Sequence, residues 1–301
     1  VCSVSPASGA RRVIARSDAL MRSDASATAD TAAPSAETPL PRVEETGVRF
    51  GAGELREPVG VAVDALGFVY VADAAAGKVF RFDEAGGSLE FSRPPEQAGF
   101  YPIDVAAQES FVFVLDYAGN RLLRYDAKGT YLDVFISFGT DGARPVSITS
   151  GAGGRLITTD PFDDTVAIWT PLLELELSFG GFARAAGGFS DPRKAAFLPG
   201  QKIVVVESEN RRLQLFSPSG KYERSVESPA GRSFVSPRYV SSDTRGALFV
   251  CDPEGRRLAL FSTSLEHVAD IESWGGDPIS PSAAAVGWNG NLYVADLASR
   301  S

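Results

Sequence analysis

The sequence predicts an all-β fold, a six-bladed β-propeller with four-stranded antiparallel blades, and three observations predict it. Six prolines that each open an apolar strand, Pro58, Pro102, Pro145, Pro192, Pro237 and Pro281, are spaced 44, 43, 47, 45 and 44 residues apart. Six acidic residues that each close a following strand, Asp73, Asp116, Asp160, Glu207, Asp252 and Asp296, are spaced 43, 44, 47, 45 and 44. Between these markers lie short runs rich in β-branched and aromatic residues, punctuated by Gly, Asp and Asn, with no convincing helical period. A period of 20 to 50 residues signals a repeat architecture. Four strands per period match the radial sheets of a propeller.

The first unit shows the pattern. Val59–Val63 is strand a, Phe68–Val71 strand b, Lys78–Phe82 strand c and Ser88–Phe91 strand d. Glycine and polar turn residues between these runs are the chemistry of tight hairpins. The sixth unit reaches Ser301 before its third strand begins. Gly47–Gly51 stands where a strand d would precede the first Pro, and Arg12–Arg16 resembles a strand c. The expectation is therefore that N-terminal strands close the last blade, with Val48 to Phe50 outermost; the alternative is a sequence truncated at both ends.

Composition narrows the function. The 301-residue chain is 44% hydrophobic and 22% charged, enough to build a sizeable core. Its formal charge of −9 repels polyanions, so nucleic acid is not an expected partner. The two cysteines, Cys2 and Cys251, exclude a disulfide framework, and Cys251 sits in the apolar run Leu248–Val250, where it reads as a small buried hydrophobe. No apolar stretch reaches the ~20 residues of a membrane-spanning helix.

Residues 1–46 read as a leader without a core, because Ser17 to Glu45 is dominated by Ala, Ser, Thr, Asp and Pro. Residues 47–301 are the propeller. Cys2, followed by Ser3 and this Ser/Ala/Pro-rich run, resembles the start of a mature bacterial lipoprotein, which makes Cys2 a candidate lipidation site. The alternative is an incidental cysteine in the leader. An extracytoplasmic location, in the periplasm, the cell envelope or the medium, is expected, and so is a monomer.

Phe68-Val69-Tyr70-Val71-Ala72-Asp73 and Leu292-Tyr293-Val294-Ala295-Asp296, with Asn120-Arg121-Leu122 and Asn210-Arg211-Arg212-Leu213, resemble NHL repeats. The resemblance spans residues 47 to 301. It implies the six-bladed propeller and leaves function open, since one fold carries many functions.

Four of the strand-b acids have a cation five residues later, Asp73/Lys78, Asp116/Arg121, Glu207/Arg212 and Asp252/Arg257, and the pattern fails at Asp160/Thr165. Across the b–c turn such a pair forms an ion pair that fixes the hairpin. Recurrence assigns these pairs to the scaffold, so departures from the repeat point to a site. The third unit carries Asp160, Asp163 and Asp164 with Phe162 in one turn. A solvated acidic turn is the first expectation there, and a divalent cation such as calcium the second.

Arg144, Arg193 and Arg238 flank the opening Pro of three successive units, where loops ring the channel mouth. The expectation is that the three guanidinium groups converge on an anion, with Tyr101, Tyr239 and Trp274 as stacking surfaces. The alternative is surface pairing with Asp191, Asp163 or Asp243. Catalysis is narrowed by the lone His267 in an outer strand, which excludes multi-histidine zinc sites and His-dependent lyase chemistry. The expected function is thus a non-catalytic scaffold for a protein segment, glycan or small acidic ligand, with no resident cofactor. The alternative is a gluconolactonase-like metal-dependent hydrolase or lyase, for which Asp104, Glu207 and Asn210 are the candidate ligands.

Overall fold

In a computed structural model, the described residues are 54–95, 99–139, 142–172, 174–227 and 231–297, with the backbone of 16–17 and 43–44. Five four-stranded antiparallel sheets follow the sequence repeat. The first runs through β3 (Pro58–Val63), β4 (Val69–Asp73), β5 (Lys78–Phe82) and β6 (Ser88–Glu90), from the axis outward. The second holds β7 (Pro102–Ala107), β8 (Phe111–Asp116), β9 (Arg121–Asp126) and β10 (Tyr131–Ser137). The third holds β11 (Ser147–Ser150), β12 (Leu156–Asp160), β13 (Thr165–Trp169) and β14 (Leu175–Gly180). The fourth holds β15 (Pro192–Phe197), β16 (Ile203–Glu207), β17 (Arg212–Phe216) and β18 (Tyr222–Val226). The fifth holds β19 (Tyr239–Ser242), β20 (Leu248–Asp252), β21 (Arg257–Phe261) and β22 (His267–Ile271).

Six complete blades were expected; five are found. The sixth repeat forms a two-stranded sheet, β25 (Pro281–Val286) and β26 (Leu292–Asp296), preceded by a short hairpin of β23 (Ser273–Trp274) and β24 (Asp277–Pro278). Among the described residues, which end at Leu297, no strand follows β26 to extend this sheet. The two-stranded sheet packs between the fifth and first blades and joins the ring of inner strands. A separate antiparallel pair, β1 (Arg16–Ser17) and β2 (Val43–Glu44), approaches β26 through β1. Cys2 and Val48 to Phe50 lie outside the described residues, as does most of the 1–46 leader.

The core is distributed between the sheets. One apolar cluster joins Val71, Phe82, Phe249, Leu258 and Tyr293, from the fifth blade through the sixth position to the first; four others fill the remaining interfaces. This is the packing expected when both faces of each sheet meet a neighbour. Strand b is accordingly buried at every residue in β4, β12, β16, β20 and β26. Cys251 lies in the first of these clusters, and burial pushes its thiol well above the usual range.

The two periodic markers are one device. In the first, second, fourth and sixth repeats the opening Pro lies directly opposite the strand-b acid, as in Pro58 with Asp73 and Pro192 with Glu207. Proline has no N–H to give the ladder. The carboxylate therefore accepts from backbone just before it: Glu57 N to Asp73 (2.9 Å), Tyr101 N to Asp116 (3.0 Å), Ser190 N to Glu207 (3.0 Å), Ser236 N to Asp252 (2.8 Å) and Ser280 N to Asp296 (2.6 Å).

The expected ion pairs form in three blades, Asp116 with Arg121 (2.9 Å), Glu207 with Arg212 (2.6 Å) and Asp252 with Arg257 (3.3 Å). The first blade departs: Lys78 reaches outward to Glu90 instead (2.7 Å). An ammonium lacks the guanidinium fork that grips a carboxylate and neighbouring carbonyls together.

Candidate functional site

The innermost strands bring one column of residues to the axis, each two positions after the opening Pro. It reads Gly60, Asp104, Ser147, Lys194, Tyr239 and Ala283. Opposite charges on the second and fourth blades meet across the third. Lys194 Nζ donates to Asp104 Oδ2 at 2.5 Å and to the Ile148 carbonyl at 2.7 Å, and Asp104 Oδ2 also accepts from Ile148 N at 2.8 Å. The ammonium stands 4.3 Å from the centre of the Tyr239 ring, whose hydroxyl donates to the Val61 carbonyl at 3.0 Å. Backbone and side chains from five blades thus meet in one plug.

Burial dominates the electrostatics. Lys194 is 3% exposed and Asp104 2%. Loss of hydration pushes the Asp104 carboxyl up and the Lys194 ammonium down, each partly offset by the other's charge and hydrogen bond. Burial also raises the Tyr239 phenol, with the Asp104 charge adding to it. Gly60 is small for a reason, since a Cβ there would stand 2.7 Å from both the Asp104 Cα and Oδ1.

Above the plug, on the face of the b–c turns, lies a cavity of about 620 Å³. Asp104 and Tyr239 form its floor. Its walls carry Tyr101, Tyr117 and Phe162, with Glu57, Arg193 and Arg238 among the charged lining. Phe162 is 59% and Tyr101 41% exposed, so both present free ring surface to the opening. The volume falls in the range of small-molecule sites.

Four of the six expected channel-mouth residues are therefore there: Arg193, Arg238, Tyr101 and Tyr239. Two are not. Trp274, on the short hairpin before the sixth repeat, is 5% exposed and packs into the core cluster. Arg144 is exposed outside the cavity wall, with its backbone N–H held by Asp160. Arg144 precedes its Pro in a loop, whereas Arg193 and Arg238 follow theirs. Positions two apart across a Pro are not equivalent around the axis.

The arginines in the cavity are already engaged. Arg193 pairs with Asp191 at 2.8 Å, the surface alternative, and Arg238 with Glu254 at 3.0 Å. The acidic turn is likewise committed to backbone: Asp160 accepts from the N–H groups of Arg144, Phe162 and Asp163, and Asp164 from that of Asp191. Among the described residues no group of three or more His, Cys, Asp and Glu side chains is placed to hold a metal ion. Glu207 binds Arg212, Gln214 and Asn210, and Asp104 binds Lys194, so the candidate gluconolactonase-like ligands do not converge. His267 sits on the outer strand β22 with Asp270 at 2.9 Å.

No protein-family model matches the chain, and a search of curated proteins finds no match. Solved structures do match it. Virginiamycin B lyase from Staphylococcus aureus is similar at 17% identity and a TM-score of 0.58, over 80% of this chain and 78% of that one. A chain of the nidogen/laminin complex is similar at 16% and 0.61, over 74% and 83%. A gluconolactonase from Xanthomonas campestris is similar at 14% and 0.60, over 80% and 86%. Identities this low establish the propeller fold alone.

Proposed function

We propose that this chain is a binding scaffold rather than a catalyst, and that its ligand docks in the cavity at the channel mouth. The observation carrying this reading is the state of the polar groups there. The Asp104–Lys194 and Asp191–Arg193 pairs satisfy one another, and Arg238 turns to Glu254. An acid, base or nucleophile poised for substrate needs the opposite arrangement. Ring surface on Tyr101 and Phe162 stays free, and so, among the described residues, does the single carboxylate of Glu57.

Ligand-observed NMR against sugars, amino acids and organic ions tests it. Hits should lose their saturation transfer in the Tyr101→Ala/Phe162→Ala double variant, because the pocket walls are then cut back without touching the plug. Hits unchanged in that variant would place binding elsewhere. Stoichiometric divalent metal in the purified protein, with turnover of aldonolactones, would favour the hydrolase reading suggested by the gluconolactonase likeness.

The same reading includes an extracytoplasmic location, checked by cell fractionation and by mass spectrometry of Cys2, and closure of the sixth blade by N-terminal strands. Supporting closure, β26 is buried at every residue although among the described residues β25 is its only partner within its sheet, and β1 approaches it. Deleting residues 1 to 52 is expected to lower Tm by on the order of 10 °C, as an uncovered strand edge and apolar face cost several kcal/mol. Deleting only residues 25 to 36 should be nearly silent. Equal melting of both truncations with wild type would remove the closure argument.

A further inference from the structure

The charge on the cavity wall does not suit an anion. Arg193 is neutralised by Asp191, Arg238 by Glu254, and Asp104 by Lys194. That leaves Glu57. Its backbone N–H is held by Asp73, which fixes where the residue stands, and among the described residues no cation pairs with its carboxylate. Half-buried, it lines the same cavity as Tyr101, Tyr117 and Phe162.

From this juxtaposition we infer that the cavity binds an organic cation, an alkylated ammonium group on an apolar body. The inference rests on the cavity being the binding site, as proposed above. Three physical arguments carry it. Aromatic faces attract cations through their quadrupole, and alkylated ammonium groups keep most of that attraction in water because they are easily stripped of their hydration. An unpaired carboxylate on a partly desolvated wall adds Coulomb attraction at reduced dielectric. The formal charge of −9 raises the local concentration of cations and lowers that of anions around the whole molecule. Nothing covalent is involved, and the plug below remains closed and paired.

Three probes of one shape separate charge from fit: choline, its neutral isostere 3,3-dimethylbutan-1-ol, and the anion 3,3-dimethylbutanoate. By calorimetry or NMR titration, choline should bind about tenfold more tightly than the alcohol, and the carboxylate should bind least. Glu57→Gln should cut choline affinity about fivefold while leaving the alcohol unchanged, because only the charge is removed. Raising the salt concentration should weaken choline binding in wild type and much less in Glu57→Gln. Tyr101→Ala and Phe162→Ala should weaken both choline and the alcohol. Among the described residues the Glu57 side chain makes no hydrogen bond that holds the fold, so an unchanged Tm confirms that the variant reports on binding.

Equal affinity for choline and the alcohol, both lost in the aromatic variants, would overturn the cation inference and leave the cavity reading standing. Tighter binding of the carboxylate would overturn it outright. Binding of none of the three would also reject it, and the broader NMR screen then decides whether the cavity binds anything else.

Discussion

Replacing Arg257 with alanine is expected to destabilise the protein more than any other single substitution in the outer half of a blade. Arg257 is 0% exposed, at the start of β21. Its Nε faces Asp252 at 3.3 Å, one terminal nitrogen donates to Asp270 at 3.0 Å, and the other to the carbonyl of Ser233 at 3.0 Å. The guanidinium also lies 5.1 Å from the centre of the Phe234 ring. One side chain thus ties strand c to the strand-b acid, to strand d and to the loop entering the blade. Removing it leaves the buried Asp252 carboxylate without its cation and leaves a cavity beside Phe234. Breaking a buried pair from one side typically costs ~3–5 kcal/mol, a fall in Tm on the order of 10 °C for a chain of this size.

Arg257→Lys should recover little of this, since one ammonium cannot reach the carboxylates and the loop carbonyl at once. Lys78→Ala, the corresponding change in the first blade, should cost less than ~1 kcal/mol, because its pair with Glu90 is exposed. Thermal and urea denaturation of the three variants checks the ranking. Comparable losses for Arg257→Ala and Lys78→Ala would show that the buried arginine contributes no more than a surface pair.

Arg257 also shows why the fold was legible. The opening Pro and the strand-b acid recur because they face each other, the acid capping the backbone that the Pro cannot pair. Any chain that repeats this device writes its period into two residue types that sequence displays openly. Blade completeness was not legible in the same way. Strand pairing between distant parts of the chain leaves no local pattern, because nothing in a short apolar run says which remote strand it will meet.

The site was half legible, for a related reason. A residue's distance from the opening Pro fixes its place on strand a, so Arg193 and Arg238, each one position after it, reach the same cavity. Treating Arg144, one position before, as their equivalent ignored that rule. Applied strictly, the rule finds the plug: Asp104, Lys194 and Tyr239 each stand two after the Pro, with Gly60 as the space Asp104 needs. Pairing, by contrast, is set by rotamers and loops. The sequence does not say that Arg238 takes Glu254 while Glu57 is left alone.

The plug itself should show opposite pH dependences for its two halves. In wild type, burial raises the Asp104 carboxyl and lowers the Lys194 ammonium, so each ion is strained by lost hydration and held by its partner. Lys194→Met strands a buried carboxylate. A group whose folded pKa is raised contributes stability below its unfolded pKa and loses it as pH rises through the folded value. The penalty of Lys194→Met should therefore be smallest near pH 4 and grow toward pH 7. Asp104→Asn strands a buried ammonium instead. A lysine whose folded pKa is lowered loses stability as pH falls through the folded value, so this penalty should shrink toward pH 9 and grow toward neutrality. At pH 7 each single change is expected to cost ~3 kcal/mol or more. The double variant, Asp104→Asn with Lys194→Met, removes both charges and keeps an amide oxygen for the Ile148 N–H, so it should be no less stable than either single variant. Urea denaturation of the four proteins from pH 4 to pH 9 measures this cycle. Additive losses, or parallel pH profiles for the two single variants, would show that the two charges do not hold each other across the channel.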